Sequence, residues 1–412
     1  MNPMPVILAA LRRFRWTALA FTLLVAAGIG LAVALVSQER ALRTGSARAA
    51  DRFDLLVAAP GSQTDLLLAA VFLRPGGGAA KLLPPAVTAR LLAEPAARFV
   101  APLGFGDSHR GAPVVGTTAA LVRHLSDGLA EGRLFETRRE AVVGAASLLR
   151  LGATFRPTHG EGHHADEDGH DGAEAARHEH GAELTVVGRM RPTGSPWDRA
   201  IAVPIELVWT VHGLPDGHAP GSEAVGPPFY PARTPGIPAA IVRPDAIASA
   251  YRLRSAYTTA DTMAFFPAEA LRSLYAVLGD VRRLMSLLAL VTQFLVLAAI
   301  TASVLILFRL LAPQFATLRA LGASRAYVFA VAWGFTAALL VAGALLGLAG
   351  GYGLSLGISR WLSQETGIAL APSLGFSELG LAAGVLAVGL VLAVAPAWLL
   401  QRRQIADLIA EH

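Results

Sequence analysis

Residues 309–325 read R-L-L-A-P-Q-F-A-T-L-R-A-L-G-A-S-R and lie between two long apolar runs, 284–308 and 328–358. Pro313 suits the first turn of a helix, where a missing N–H costs nothing, and Gly322 suits the position just past a helix end. Phe315, Leu318 and Leu321 recur at every third residue and make one apolar side. The stretch therefore reads as a short amphipathic helix, with Arg309, Arg319 and Arg325 around it. Two uses fit such a helix between membrane spans. It lies in the headgroup interface, or its apolar side enters a groove on a partner protein.

The flanking runs belong to a set of four. Crossing about 30 Å of hydrocarbon takes roughly 20 apolar residues as a helix, and the segments 17–36, 284–308, 328–358 and 376–400 meet that length. Hydrophobic residues make up 54% of the 412 and charged residues 16%, against about a quarter charged in ordinary soluble domains. The four segments read as free of ionisable groups at membrane depth, which weighs against ion-coupled transporters and proton relays. The first segment follows Arg12, Arg13 and Arg15 like the core of a signal peptide. Its apolar run is too long for one, and no clear A-x-A cleavage site follows before Gln38, so it reads as a retained span.

Arginine in short flanks marks the cytoplasmic side. Arg12, Arg13 and Arg15 precede the first span, Arg309, Arg319 and Arg325 lie between the second and third, and Arg402 and Arg403 follow the fourth. All three places are cytoplasmic if the long segment after the first span is outside. The expected topology is N-in and C-in across a bacterial inner membrane, with one large extracytoplasmic domain. Strand-like runs at 53–58, 112–117, 184–188 and 239–242 alternate there with helix-like runs such as 117–131, which predicts a mixed α/β fold of two subdomains. Residues 215–238 are dense in Pro and Gly and read as an irregular connection. From Pro267, Leu271, Leu274, Leu278, Val281 and Met285 recur at three and four residues, predicting a stalk helix that runs into the second span. A continuous helix over 267–308 would be about 60 Å long; the alternative is a break near Gly279.

Several functions are excluded. Lys81 is the only lysine, and its surroundings G-A-A-K-L-L lack the glycine spacing and hydroxyl of a phosphate-binding loop. Any nucleotide must be bound by another chain. There is no cysteine, hence no disulfide framework or thiolate metal site. No basic and aromatic cluster points to nucleic acid. H-E-x-x-H does not occur, and the one G-x-S-x-G, at 353–357, lies inside the third apolar run, so a membrane-anchored enzyme ranks low and no catalytic residue is assigned.

The third span carries Gly343, Gly347 and Gly351 at four-residue spacing, and the fourth repeats it at Gly380 and Gly384. Small residues at this spacing let helix backbones approach closely in lipid. The same chemistry serves a dimer face or packing among the spans of one chain.

Residues 158–183 hold His159, His163, His164, His170, His178 and His180 among eight acidic residues. Imidazole and carboxylate suit zinc and other late transition metals. No pair matches a zinc-finger spacing, and the interspersed glycines favour a solvated segment that pays ordering entropy on binding. A metal site, a spacer and a pH-sensitive element all stay open. The isolated His109, His124, His212 and His218 read as surface or satisfied loop residues.

The run F-A-T-L-R-A-L-G-A-S-R-A-Y-V-F at 315–329 resembles the coupling region of FtsX-like permeases, the membrane subunits of MacB-type ATP-binding cassette systems. The likeness extends to the order of spans and to the closing P-A-W-L-L-Q-R-R-Q-I-A at 396–406. In the outer domain F-D-L-L-V-A-A-P-G-S-Q-T-D-L-L-L-A-A-V-F (53–72), G-D-S-H-R-G-A-P-V-V-G-T-T (106–118) and V-V-G-R-M-R-P-T-G-S-P-W-D-R-A-I (186–201) resemble one branch, which tends to carry a His-rich insertion. The chain departs from the family at Leu311, Ala312, Pro313 and Gln314, where basic residues and a glutamate are usual; a charge contact through that glutamate is not carried over.

The resemblance implies a homodimer bound to two copies of a separate ATPase that holds ATP and magnesium, with no cofactor in this chain apart from zinc if the histidines bind it. It implies that Phe315, Leu318, Arg319, Leu321, Gly322 and Arg325 contact the ATPase. It also implies that ATP-driven motion passes to an outer domain acting on a periplasmic substrate or partner protein, for export or envelope remodelling. The expected organisation is a cytoplasmic N-terminus and first span (1–36), a periplasmic α/β domain (37–266) of MacB type with its insertion (158–183), a stalk and second span (267–308), and a cytoplasmic coupling helix (309–327). A third span (328–358), a short periplasmic loop (359–375), a fourth span (376–400) and a cytoplasmic tail (401–412) complete it. The alternative from another class is a membrane-anchored metal sensor or scaffold that signals through the cytoplasmic helix.

Overall fold

The structure is a computed structural model. It describes residues 2–74, 81–159, 183–276 and 317–394, single positions between 287 and 306, and residue 398. The chain divides into two units.

The first unit comprises 1–43, 279–361 and 370–412. Helix α1 (Met4–Arg13) was not foreseen; it precedes α2 (Arg15–Ala50), which continues past Val36. Two helices of the described part are long and apolar enough to span a bilayer, α2 and the helix Arg325–Thr366. The fourth predicted span appears as the shorter helix Phe376–Leu392, and the second lies outside the described residues except for single helical positions such as Leu287 and Phe294. The stalk's continuity likewise lies outside them.

Unlike a soluble bundle, this unit exposes many large apolar side chains, among them Leu19, Leu23, Leu31, Leu345 and Val391, while Val25, Ile29, Val33, Phe335 and Leu340 are buried between helices. An apolar exterior around an apolar core is what a lipid-facing bundle requires. One correction concerns charge. Glu378, in the first turn of the helix Phe376–Leu392, is fully buried, so the spans are not free of ionisable groups. Its carboxylate accepts from Gly375 N–H at 2.9 Å and pairs with Arg40 at 3.0 Å, which is how a carboxylate is tolerated there.

The second unit comprises 44–278 and 362–369. Its strands are β1 (Leu55–Ala58), β2 (Ala97–His109), β3 (Ala112–Thr117), β4 (Leu129–Gly132), β5 (Glu140–Val143), β6 (Thr154–Phe155), β7 (Thr158–His159), β8 (Leu184–Met190), β9 (Ile201–Pro204), β10 (Ala239–Pro244) and β11 (Met263–Phe265). They form one mixed sheet in the order β11-β1-β10-β2-β3-β9-β5-β8-β4, with β6 on β8 and β7 on β2. Only β3 with β9 and β5 with β8 run parallel among these pairs.

The predicted subdomains resolve into two apolar clusters on this one sheet. Leu55, Val57, Ile237, Val242 and Tyr257 belong to the first, and Val114, Val143, Val186, Ile201 and Val203 to the second. Strand β2 serves both halves, its register shifting between Gly104 and Asp107, where Gly106 takes a φ of 131°. The helix-like run 117–131 splits. Helix Ala119–Ser126 ends at Asp127, which is left-handed at φ 48°, and Gly128 turns the chain into β4.

Of the isolated histidines, His218 is a buried loop residue whose ring is satisfied. Its Nε2 lies 3.2 Å from Oε1 of the fully buried Glu206, which also accepts from Gly226 N–H at 2.6 Å. Glu206 thereby pins the Pro/Gly-rich connection 215–238 to the sheet.

Candidate coupling site

The amphipathic stretch enters the described residues at Thr317. Residues 317–320 are helical, and Gly322, at φ 95°, lies just beyond. Gly322 N–H bonds Arg319 O at 3.0 Å and Ala323 N–H bonds Leu318 O at 3.0 Å. This is the paired bonding of a Schellman ending, and it needs a left-handed residue, which glycine supplies without Cβ strain. Ser324 then starts the next helix by accepting from Tyr327 N–H through its hydroxyl at 3.2 Å. One helix ends and another begins within three residues.

That geometry sorts the side chains. Leu318, Ala323 and Tyr327 pack on the membrane core alongside Val6, Ala10, Leu11 and Phe14 of α1 and its flank, and Tyr327 Oη bonds Asn2 O at 3.4 Å. Leu321 points the other way and is 81% exposed. Arg319 is half-buried, and Gly322 and Arg325 are exposed beside Leu321. Phe315 lies outside the described residues. The result is a hydrogen-bonded turn with an inward leucine, an outward leucine and two arginines. It can present an apolar tip and positive charge to a protein surface.

The glycines divide by role. A Cβ at Gly343 would sit 2.7 Å from Cβ of Val25, one at Gly347 would sit 2.9 Å from Ala26 O, and one at Gly351 would overlap the Gly30 carbonyl. This stripe is therefore consumed in packing on α2 within one chain. Gly380 and Gly384 have nothing within 4 Å of an added Cβ among the described residues.

Of the candidate metal ligands, only His159 is described: in β7 it pairs with Asp107 of β2. His163, His164, His170, His178 and His180 lie outside the described residues. Among the described ones, no group of three or more His, Cys, Asp or Glu is placed to hold a metal.

Sequence reasoning missed three features. Helix α1 gave only its arginines as a signal. The Arg40–Glu378 pair was announced by Glu378 standing three residues after Gly375, the spacing of a carboxylate that caps its own helix. Arg199, whose Nη1 bonds the carbonyls of Gln364 and Glu365 at 2.9 and 3.0 Å, had no local signal at all.

Two helices long and apolar enough to cross a membrane, a mixed α/β unit and an exposed turn ahead of the helix Arg325–Thr366 suit a membrane subunit. Residues 286–405 match the model of the FtsX-like permease C-terminal family. Over these residues the chain is similar to FtsX-like permeases, which supports reading it as a permease subunit of an ATP-binding cassette transporter. The match takes in the turn and the two described helices after it. No curated protein matches the chain.

Proposed function

We propose that this permease works in the MacB manner, relaying ATP-driven motion of a separate ATPase in the cytoplasm to the α/β domain on the periplasmic side of the inner membrane, for export or envelope remodelling. The observation that carries this reading is the turn at 317–325. An 81% exposed leucine on a Schellman-terminated turn, flanked by Arg319 and Arg325, is a side chain that a groove on another protein can take. Leu318 anchors the turn inward, Leu321 is the contact, and Arg319 and Arg325 supply charge to an acidic rim. Two copies of the chain would offer two such turns to an ATPase dimer, with Gly380 and Gly384 free for contact between copies. The N- and C-termini share the cytoplasmic side with the turn.

Affinity purification of the full chain from its native membrane tests the reading. A Walker-type ATPase recovered with the wild type and lost with Leu321→Glu supports it. Recovery of a kinase or regulator in place of an ATPase would favour the sensor class. The metal link is tested separately, by deleting residues 160–180 and titrating zinc calorimetrically. Binding unchanged by the deletion removes it.

A further inference from the structure

The longest described helix, Arg325–Thr366, starts at the coupling turn and its last residues, 362–366, belong to the α/β unit. A helix end leaves its last four carbonyls without intrahelical partners. Here Gly367, at φ 74°, returns its N–H to Ser363 O at 2.9 Å. Of the three that remain, Arg199 Nη1 takes the carbonyls of Gln364 and Glu365, at 2.9 and 3.0 Å. Ala369 N–H then bonds Gly194 O at 3.1 Å.

The receiving turn, T-G-S-P-W-D-R at 193–199, is braced independently of the helix. Asp198 accepts from Thr193 N–H at 2.6 Å, from the Thr193 hydroxyl at 2.8 Å and from Gly194 N–H at 2.9 Å. Trp197 is fully buried and donates Nε1–H to Ala70 O at 3.2 Å. A Cβ at Gly367 would come within 2.9 Å of Pro196 Cα, so helix end and turn meet backbone to backbone. An arginine on two helix-end carbonyls, with a main-chain bond three residues on, is a stronger attachment than a loop needs merely to return to the membrane.

We propose that residues 193–199 are a socket that holds the outer end of this helix as a fixed joint, and that this helix, in addition to the predicted stalk, drives the α/β domain. Arg199 is its positioning residue. The inference rests on the relay reading above. It requires that the joint stay closed throughout the ATP cycle, since a joint that opens transmits nothing.

The native chain lacks cysteine, which makes the test direct. A Cβ at Gly194 would lie 3.4 Å from Ala369 Cβ, close to the separation a disulfide spans. The complex of full chain and co-purified ATPase is placed in nanodiscs, and the change in amide exchange of the α/β domain on adding Mg-ATP is measured. The wild type is expected to show an ATP-dependent change. Arg199→Ala should shrink it about fivefold or more while ATP hydrolysis stays within about twofold, and Arg199→Lys should restore part of it. The pair Gly194→Cys with Ala369→Cys, oxidised, should respond like the wild type. An unaltered response in Arg199→Ala, or a response abolished by the oxidised disulfide, overturns the joint and leaves the relay standing. No ATP-dependent change in the wild type overturns the relay, and the joint with it.

Discussion

Arg40 of α2 and Glu378 of the helix Phe376–Leu392 form an ion pair at 3.0 Å in which the carboxylate is fully buried and the arginine side chain is one-third exposed. Arg40 also donates to the Ser373 carbonyl and the Ser377 hydroxyl. Close by in sequence, Gln38 Oε1 accepts from the Ser359 hydroxyl at 2.9 Å. The pair therefore ties α2 to the start of the last described helix through a group that cannot reach water by itself.

This asymmetry predicts an asymmetric mutational result. Arg40→Ala strands a buried charge and should destabilise the membrane unit by about 2 kcal/mol, the pair's partial exposure keeping the loss below that of a fully buried one. Glu378→Gln removes the charge and keeps an acceptor for Gly375 N–H, so it should cost less. The double variant should recover part of the Arg40→Ala loss. Thermal unfolding of the full chain in nanodiscs reads all three, and equal losses for the two single variants would refute the pairing.

Close packing at the glycine stripe makes a second contrast. Gly351→Ala must push apart the backbones of α2 and the helix Arg325–Thr366 and should lose about 1–3 kcal/mol. Gly380→Ala and Gly384→Ala meet open space among the described residues and should leave unfolding of the single chain unchanged. If they weaken a dimer seen by native mass spectrometry, that face joins two copies.

In the α/β domain, stability should fall as pH drops from about 7 to about 5. His124 is held below the usual imidazole range, first by burial and then by Arg243, against the opposing bond to the Arg52 carbonyl. Its Nε2 lies 2.9 Å from Arg52 O, and the Arg243 guanidinium lies 2.9 Å from Nε2 and 3.2 Å from Nδ1, so a positive charge already sits against the ring. The folded state takes up its proton later than the unfolded chain does, so stability is lost as pH falls below about 6.5. His124→Gln should flatten that slope. Glu140 behaves differently. A hydrogen bond from Arg133 holds its carboxyl down at about 2, so its contribution is present above the usual carboxylate range and is lost only as pH falls from about 4.5 towards 2. Thermal unfolding followed across these two windows separates them.

At the coupling turn, Gly322→Ala should cost about 1 kcal/mol through its left-handed backbone and loosen the turn without touching the exposed tip. Leu318→Ala should lower both stability and ATPase recovery, because that side chain packs on the membrane core. Co-purification and thermal unfolding measured on the same samples check the split.

How much of this was legible in the sequence follows from how local each signal is. Strand β3 lies where the β-branched run Val114-Val115 between Pro113 and Gly116 puts it, and Gly322 ends its helical turn because only its neighbours are involved. The run 117–131 misled because its apolar period continues through Asp127 and Gly128, two residues whose backbone preference outweighs periodicity. The membrane glycines were visible as a stripe, yet their partner, α2, was not, since nothing within a helix says which neighbour it meets. Glu378 was legible from its spacing after Gly375, whereas its partner Arg40, 338 positions away, carried no local signal. Arg199 was illegible for the plainest reason: the carbonyls it holds belong to backbone, which leaves no trace in side-chain pattern.

The central claim is that this chain does no nucleotide chemistry itself and takes its work from a partner through the turn at 317–325. Mg-ATP hydrolysis by the purified full chain, wild type and Leu321→Glu, measured beside the polypeptides each preparation contains, tests it most directly. Hydrolysis should follow a second chain that is present with the wild type and depleted about tenfold or more with the variant. Hydrolysis by the permease chain alone, or full retention of the second chain by Leu321→Glu, would contradict it.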